Sequence, residues 1–172
     1  MRVAEGIVSY LGDLGIGEVF VVYGSACGEL VDAFSRVEGV RYICAHSEQG
    51  AGFMADGYAR IRGMGAVIVT SGPGGTNLLT AIASSYYEST PVVYITGQVN
   101  SRFLRRGKER QCGFQENDIV SMAKPITKLS IRLEPKDNVI GRIRFAVSES
   151  CSGRPGPVLI DIPMDIQNEG LR

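Results

Sequence analysis

Glu48 is a lone carboxylate between an apolar run at 40–45 and an alanine- and glycine-rich segment at 49–62. Continuous apolar runs are typical of strands buried in a parallel sheet, and the carboxyl ends of such strands form the edge where α/β proteins bind ligands. A carboxylate there lies where a ligand would bind, and Gly50 and Gly52 would allow a ring or a backbone to approach closely. Alternatively, Glu48 is only an acid favoured by the dipole at a helix start.

A second candidate site is the glycine-rich turn GPGGTN at 72–77, which follows an apolar run at 66–70 and opens a helical pattern. Dinucleotide-binding turns look similar, but their fingerprint requires a third glycine where Asn77 stands and an acidic residue after the next strand. The next apolar run leads to Gln98, with no acid. The sequence therefore argues against a nicotinamide or flavin site and predicts a tight turn that packs a helix against the sheet.

Apolar runs of strand length alternate with helical patterns along the whole chain. The predicted strands are 19–23, 40–45, 66–70, 91–96, 126–133 and 157–162, and the predicted helices are 3–14, 29–36, 49–62, 77–88 and 138–150. This alternation favours right-handed crossovers and a parallel sheet with helices on both faces. We therefore predict an α/β fold, a three-layer α/β/α sandwich with a mainly parallel six-stranded sheet, in a single domain over residues 1–172.

Composition argues against several classes of function. Lys and Arg total 18, as do Asp and Glu, so the formal net charge is zero and no basic footprint indicates nucleic acid. The four cysteines form no CxxC pair and there is one histidine, which disfavours a zinc site. Cys44 is predicted to be a small core residue. Because no apolar run has the length of a membrane span and no signal peptide is recognisable, we expect a cytoplasmic protein with reduced thiols and no membrane contact.

Several segments stand in an order and spacing that a known family shares. They are HSEQGAGFMADGYAR at 46–60, TSGPGGTN at 70–77, ITGQV at 95–99, FQE at 114–116, ITK at 126–128 and GRPGPVLIDIP at 153–163. Together they resemble the N-terminal, pyrimidine-binding domain of thiamine-diphosphate-dependent enzymes, and in particular of the acetolactate synthase-like group. The resemblance extends from about residue 3 to residue 167.

The resemblance implies a role for each candidate residue. Glu48 would be catalytic: its carboxyl hydrogen-bonds ring nitrogen N1′ of the cofactor's aminopyrimidine and so assists removal of the C2 proton, which requires a carboxyl able to share a proton. We expect this carboxyl to be buried. The other cofactor-binding positions would be Gly24, Ser25, Pro73, Asn77 and Gln98, and the substrate channel would include Phe114 and Gln115.

One of these assignments has an alternative, and others fall where the sequence departs from the family. Gln98 could equally be an amide that caps a loop. Gly24 and Ser25 belong to a segment that departs from the family, because it lacks the usual Pro-Gly after Gly24. Ser47 also stands where the family often has a histidine.

The resemblance further implies that this chain supplies one half of an active site. In the family a separate domain, marked by Gly-Asp-Gly, holds the pyrophosphate of thiamine diphosphate and Mg²⁺, and this sequence has no Gly-Asp-Gly. We therefore expect no metal site in the chain, a pyrophosphate-binding domain in cis or in trans, and FAD only in a missing middle domain. A homodimer through the pyrimidine-binding domain and a 2-keto acid substrate such as pyruvate are also implied. A catalytically idle dimerisation or interaction module, or an alpha-type subunit of a split 2-keto acid decarboxylase, remain alternatives.

The segment 102–110 concentrates positive charge in an otherwise neutral chain. It is longer than the corresponding loop of ordinary acetolactate synthases and resembles that of relatives found with surface-polysaccharide and nucleotide-sugar chemistry. Its guanidinium groups could bind a phosphate. The alternative is a solvated, mobile loop.

Overall fold

Six strands form one sheet in which every neighbouring pair runs parallel. They are β1 (Glu18–Val22), β2 (Arg41–Cys44), β3 (Gly65–Val69), β4 (Val92–Gln98), β5 (Leu129–Arg132) and β6 (Val158–Pro163), in the order β2-β1-β3-β4-β6-β5. The computed structural model describes residues 1–105, 107–135 and 137–171. The parallel six-stranded sheet confirms the predicted architecture.

Helices cover both faces of the sheet. The longer ones are α1 (Val3–Asp13), α3 (Glu48–Arg62), α5 (Leu79–Tyr87) and α7 (Val139–Cys151); the shorter ones are α2 (Gly28–Asp32), α4 (Pro73–Asn77), α6 (Ile119–Ala123) and α8 (Met164–Asn168). Along β4, Val93 and Ile95 belong to the core beneath α1 and α7, whereas Val92 and Tyr94 belong to the core beneath α3 and α5. This alternation, which follows from the twofold period of a strand, confirms the three-layer sandwich. Within the described residues, no helix has the length and apolar character needed to cross a membrane.

The structure differs from the sequence predictions at several elements. The predicted helix 77–88 corresponds to α5, and a separate short helix, α4, precedes it because Pro73 starts a helical turn earlier than expected. The predicted helix 29–36 is α2 followed by a 3₁₀ turn at Ala33–Ser35.

The prediction that Cys44 is a core residue is wrong. Cys44 is exposed because its strand, β2, lies at the edge of the sheet, where it pairs only with β1. An apolar run that looks buried in the sequence is therefore partly open to solvent.

The start of α3 is fixed by its cap and by close packing behind it. The Ser47 hydroxyl accepts a hydrogen bond from the Gly50 backbone N–H at 3.1 Å, which satisfies one of the free donors of the first turn. A Cβ on Gly52 would lie 2.5 Å from the Cβ of Ala81, so a glycine is needed where α3 crosses α5. These two features fix the position of Glu48, the first residue of α3.

Candidate functional site

Glu48 and Asn77 meet at the carboxyl edge of the sheet. Glu48 begins α3 directly after β2, and its Oε2 accepts a hydrogen bond from Asn77 Nδ2 at 3.0 Å. Among the residues that the structure describes, no group donates a hydrogen bond to Glu48 Oε1. Glu48 is half-buried rather than fully buried as expected. The carboxylate is thus oriented through one oxygen while the other is available to a ligand.

The turn between β3 and α4 brings two further candidates to this edge. Gly72 has a φ of +60°, which favours glycine, and Pro73 follows it as the first residue of α4. Pro73 and Asn77 are both exposed. The turn therefore presents one ring and one amide at the surface beside Glu48.

Gly24 lets the end of β1 approach the end of β3. A Cβ on Gly24 would lie 2.5 Å from the Cβ of Thr70, a distance that side chains do not tolerate. The next residue, Ser25, is exposed and starts a 3₁₀ turn. Gly24 and Ser25 thus lie at the same edge of the sheet as the Glu48 and Asn77 pair, since β1 lies between β2 and β3.

Gln98 ends β4 and is fully engaged within the chain. Its Nε2 donates to the Asn117 carbonyl and to Asp161 Oδ2, both at 3.0 Å, and its Oε1 accepts from the Val99 backbone N–H at 2.9 Å. The side chain is completely buried. This is the geometry of the loop-capping amide that the sequence left open.

Asp161 holds this amide and is a residue that the sequence analysis missed. It is buried on β6 and accepts hydrogen bonds from Thr96 Oγ1 at 2.8 Å and from Arg132 Nε at 2.8 Å, as well as from Gln98. Burial raises the pKa of the Asp161 carboxyl, and the Arg132 guanidinium acts against that shift. An aspartate inside the apolar run VLIDIP was the signal that could have identified it.

Phe114 and Gln115 lie on a loop that packs against the Gly72 turn. A Cβ on Gly72 would lie 2.6 Å from the Gln115 carbonyl oxygen, and Gln115 itself has a φ of +59°. The Phe114 side chain is 83% exposed. The predicted channel residues are therefore held close to the glycine-rich turn, with one aromatic ring free at the surface.

Glu116 fixes this loop and was also missed. Its buried carboxylate accepts backbone hydrogen bonds from Arg105 and from Cys112, both at 2.8 Å. Because the carboxylate binds backbone N–H groups at both ends of the loop, it holds the two ends together where no strand or helix does so. Part of the basic segment 102–110 is thereby ordered; Arg106 lies outside the described residues.

A cavity of about 380 Å³ opens at the carboxyl edge of the sheet, between the segments that follow β1, β3, β4 and β6. Of the predicted site residues, Ser25 and Phe114 line it, whereas Glu48 and Asn77 do not. Its lining also includes Ser71, Asn100, Arg102 and Phe103. A larger cavity of about 860 Å³ lies beside α2 and the edge strand β2, and among the predicted residues only Ser25 reaches it.

Within the described ranges, no three His, Cys, Asp or Glu side chains come together as potential metal ligands. The chemistry that this edge can offer is therefore a half-buried carboxylate, an amide, hydroxyls and an arginine.

Comparison with known proteins places this geometry in context. The family "Thiamine pyrophosphate enzyme, N-terminal TPP binding domain" matches residues 1–122. The chain is similar to the acetolactate synthase large subunit of Haemophilus influenzae, with 39% identity over 98% of the chain and 29% of that protein. It is also similar to the acetolactate synthase isozyme 3 large subunit of Escherichia coli, with 40% identity over 96% of the chain and 28% of that protein.

A plant protein is similar to the chain at the same level of sequence identity. Acetolactate synthase 2, chloroplastic, of Nicotiana tabacum is 40% identical over 96% of the chain and 24% of its own length. The chain therefore spans less than a third of each of these relatives.

Proposed function

Because this chain belongs to the N-terminal TPP binding domains of thiamine pyrophosphate enzymes, we propose that it supplies half of the active site of a thiamine-diphosphate-dependent 2-keto acid carboligase or decarboxylase. The observation that supports this most strongly is the Glu48 carboxylate, which Asn77 orients through Oε2. Its Oε1 is without a donor among the described residues. A carboxylate in this state can hold or release a proton on a ring nitrogen of the cofactor.

The residues at this edge fit an aminopyrimidine ring. Glu48 would hold the proton shared with ring nitrogen N1′, and Asn77 would keep the carboxylate in position. The exposed Pro73 and Ser25, with Gly24 between the ends of β1 and β3, would contact the ring. When bound, thiamine diphosphate supplies a nucleophilic carbon and an electron sink for 2-keto acid chemistry.

Three further residues would act without contacting the aminopyrimidine ring: Gln98, Phe114 and Gln115. In our proposal Gln98 positions the loop at Asn117, because both of its amide N–H donors are bound within the chain and its oxygen accepts from Val99. Phe114 and Gln115 would line the channel through which the substrate reaches the cofactor. The short distance between Gln115 and Gly72 supports this placement.

The remaining parts of the active site belong to other domains in this proposal. A pyrophosphate-binding domain, in the same polypeptide or in a partner, would hold the pyrophosphate and Mg²⁺, and FAD would bind only in a middle domain. The substrate would be a 2-keto acid such as pyruvate, in keeping with relatives named acetolactate synthase. Cytoplasmic location stays a prediction.

The proposal is tested by 2-keto acid turnover in the complete enzyme. We expect turnover to require thiamine diphosphate and Mg²⁺, and Glu48→Gln to lower it about 10²–10⁴-fold, the usual contribution of acid–base assistance. Glu134→Gln, at an exposed acid after β5, is the matched control and should leave turnover unchanged. Full turnover by Glu48→Gln would refute the role of Glu48, and complete protein inactive toward 2-keto acids would favour the idle interaction module.

A further inference from the structure

The cavity between the segments after β1, β3, β4 and β6 offers hydrogen-bond donors without a balancing acid. Its polar lining consists of Ser25, Ser71, Asn100 and Arg102, and no Asp or Glu lines it. Asn100 Oδ1 already accepts the Arg102 backbone N–H at 3.2 Å, so the Asn100 amide contributes mainly its NH₂ group. A cavity with hydroxyls, an amide donor and one guanidinium is suited to a negatively charged group.

Arg102 is the one charged residue in this lining. Its guanidinium contacts the Phe103 ring and forms no ion pair with the described residues. The guanidinium carbon lies 4.6 Å from the centre of the Phe103 ring, a cation–π contact that restricts its position. No carboxylate of the described residues comes within 4.0 Å of it, whereas Arg105 and Arg132 both pair with Asp118.

A carboxylate in the helix that follows β6, Asp165, binds Ser101 and forms no ion pair with Arg102 within 4.0 Å. Asp165 accepts hydrogen bonds from the Ser101 backbone N–H at 2.9 Å and from the Ser101 hydroxyl. With both of its oxygens bound to Ser101, Asp165 holds the backbone beside Arg102 and leaves the guanidinium available.

Ser71, in the turn after β3, adds a hydroxyl to this lining. The residue is only 3% exposed, and its hydroxyl can donate a hydrogen bond to a ligand atom in the cavity.

We propose that this cavity binds a second anionic group of the substrate, a carboxylate or a phosphate-type group, with Arg102 and Ser71 as specificity-determining residues. The apolar part of the lining, including Val99, Phe114 and Met164, would contact the carbon skeleton. The inference rests on the proposed 2-keto acid chemistry and narrows it to 2-keto acids that carry a further negative charge.

Equilibrium binding to the complete enzyme, measured calorimetrically without thiamine diphosphate so that no turnover occurs, tests this proposal. The probes are pyruvate, with one anionic group, 2-oxoglutarate, with a second carboxylate, and 3-phosphonopyruvate, with a phosphonate. We expect at least one dianionic probe to bind more tightly than pyruvate, and the tighter of the two identifies the anionic group. Arg102→Met should weaken binding of that probe about 10- to 100-fold, the usual effect of losing a charge-assisted hydrogen bond, and leave pyruvate binding nearly unchanged.

Two further variants complete the test. Arg110→Met removes another exposed charge from the same loop but outside the cavity lining, and should leave binding of all three probes unchanged. Ser71→Ala should weaken dianion binding, because it removes a hydroxyl donor from the cavity, while the melting temperature hardly changes.

The proposal is overturned if pyruvate binds as tightly as both dianions, or if Arg102→Met and Arg110→Met weaken binding equally. Unchanged dianion binding in Arg102→Met would also overturn it. If Arg102-dependent binding is found but no 2-keto acid is turned over with thiamine diphosphate, the anion site stands and the proposed function fails.

Discussion

Asn77 at the end of α4 donates a hydrogen bond to Glu48 at the start of α3, with 3.0 Å between Nδ2 and Oε2. The two residues are 29 positions apart and come together because β2, β1 and β3 are neighbours in the sheet. A neutral donor orients the carboxylate without neutralising its charge. The bond therefore fixes the direction of Glu48 and leaves its second oxygen without a donor among the described residues.

Loss of this hydrogen bond should impair function more than folding. In the complete enzyme we expect Asn77→Ala to lower kcat/KM about tenfold, since a hydrogen bond to a charged group contributes about 1.5 kcal/mol. The melting temperature should hardly change because Asn77 is exposed. Thr80→Ala, an exposed position on the next helix, serves as the control. Wild-type kcat/KM in Asn77→Ala would show that the Glu48–Asn77 contact has no role in turnover.

The crossing of α3 and α5 should be sensitive to one methyl group. Gly52→Ala would place a Cβ 2.5 Å from Ala81 Cβ and push the helices apart; we expect a loss of about 1–3 kcal/mol in the free energy of unfolding. Gly57→Ala lies on the same helix with nothing within 4 Å of the new Cβ, and should increase the free energy of unfolding by about 0.5–1 kcal/mol. Denaturant unfolding distinguishes the two, and equal effects would contradict the packing that we describe.

The sequence predicts the sheet well where strands are buried on both faces. Runs such as those of β4 and β6 are mostly apolar, so their type and approximate bounds follow from the hydrophobic pattern. The sequence predicts the burial of a residue less well where burial depends on which strands lie beside its own strand. Local sequence patterns do not determine the order of strands in a sheet. The prediction of a buried Cys44 is wrong for that reason, because β2 lies at the edge of the sheet.

Part of the candidate site was predictable because several of its residues directly follow predicted strands. Glu48, Pro73 and Asn77 follow strands, and such positions meet at one edge of a parallel sheet. The backbone contacts of Gln98 and Glu116 were not predictable: Gln98 donates to the carbonyl of Asn117, and Glu116 accepts from backbone N–H groups of a loop. Contacts between side chains and irregular backbone depend on the tertiary structure. The hydrophobic periodicity of the sequence does not predict them.

Cys27 should be the least reactive cysteine of the described chain. Burial raises its pKa from 9.0 to about 11, so about 0.1% is thiolate at pH 8, whereas Cys44, Cys112 and Cys151 are exposed. Alkylation followed by peptide mass spectrometry should label Cys27 only after unfolding. The same shift makes the native state lose stability as pH rises from about 9 to about 11, and Cys27→Ala should remove that loss. Rapid labelling of native Cys27 would contradict its burial.

The exposed face of α3 should form the dimer contact that we expect for this family. Phe53, Gly57 and Ile61 recur every four residues on one face, and Ile61 is 83% exposed. Ile61→Asp should weaken association at least about tenfold in sedimentation equilibrium, since it places a charge in an apolar contact. Phe145→Asp, at an exposed aromatic on α7, is the control and should associate like wild type. A wild-type monomer at high concentration would end this prediction.

If Glu48 exchanges a proton with the cofactor, hydrogen–deuterium exchange at C2 of bound thiamine diphosphate will depend on its carboxyl group. In the complete enzyme, Glu48→Gln should keep the fold and much of the cofactor binding while C2 exchange slows about 10²–10⁴-fold or more. If Glu48 only favours the helix start, the change would instead cost about 0.3–1 kcal/mol of stability with exchange unaffected. Equal C2 exchange rates in the two proteins would contradict the account.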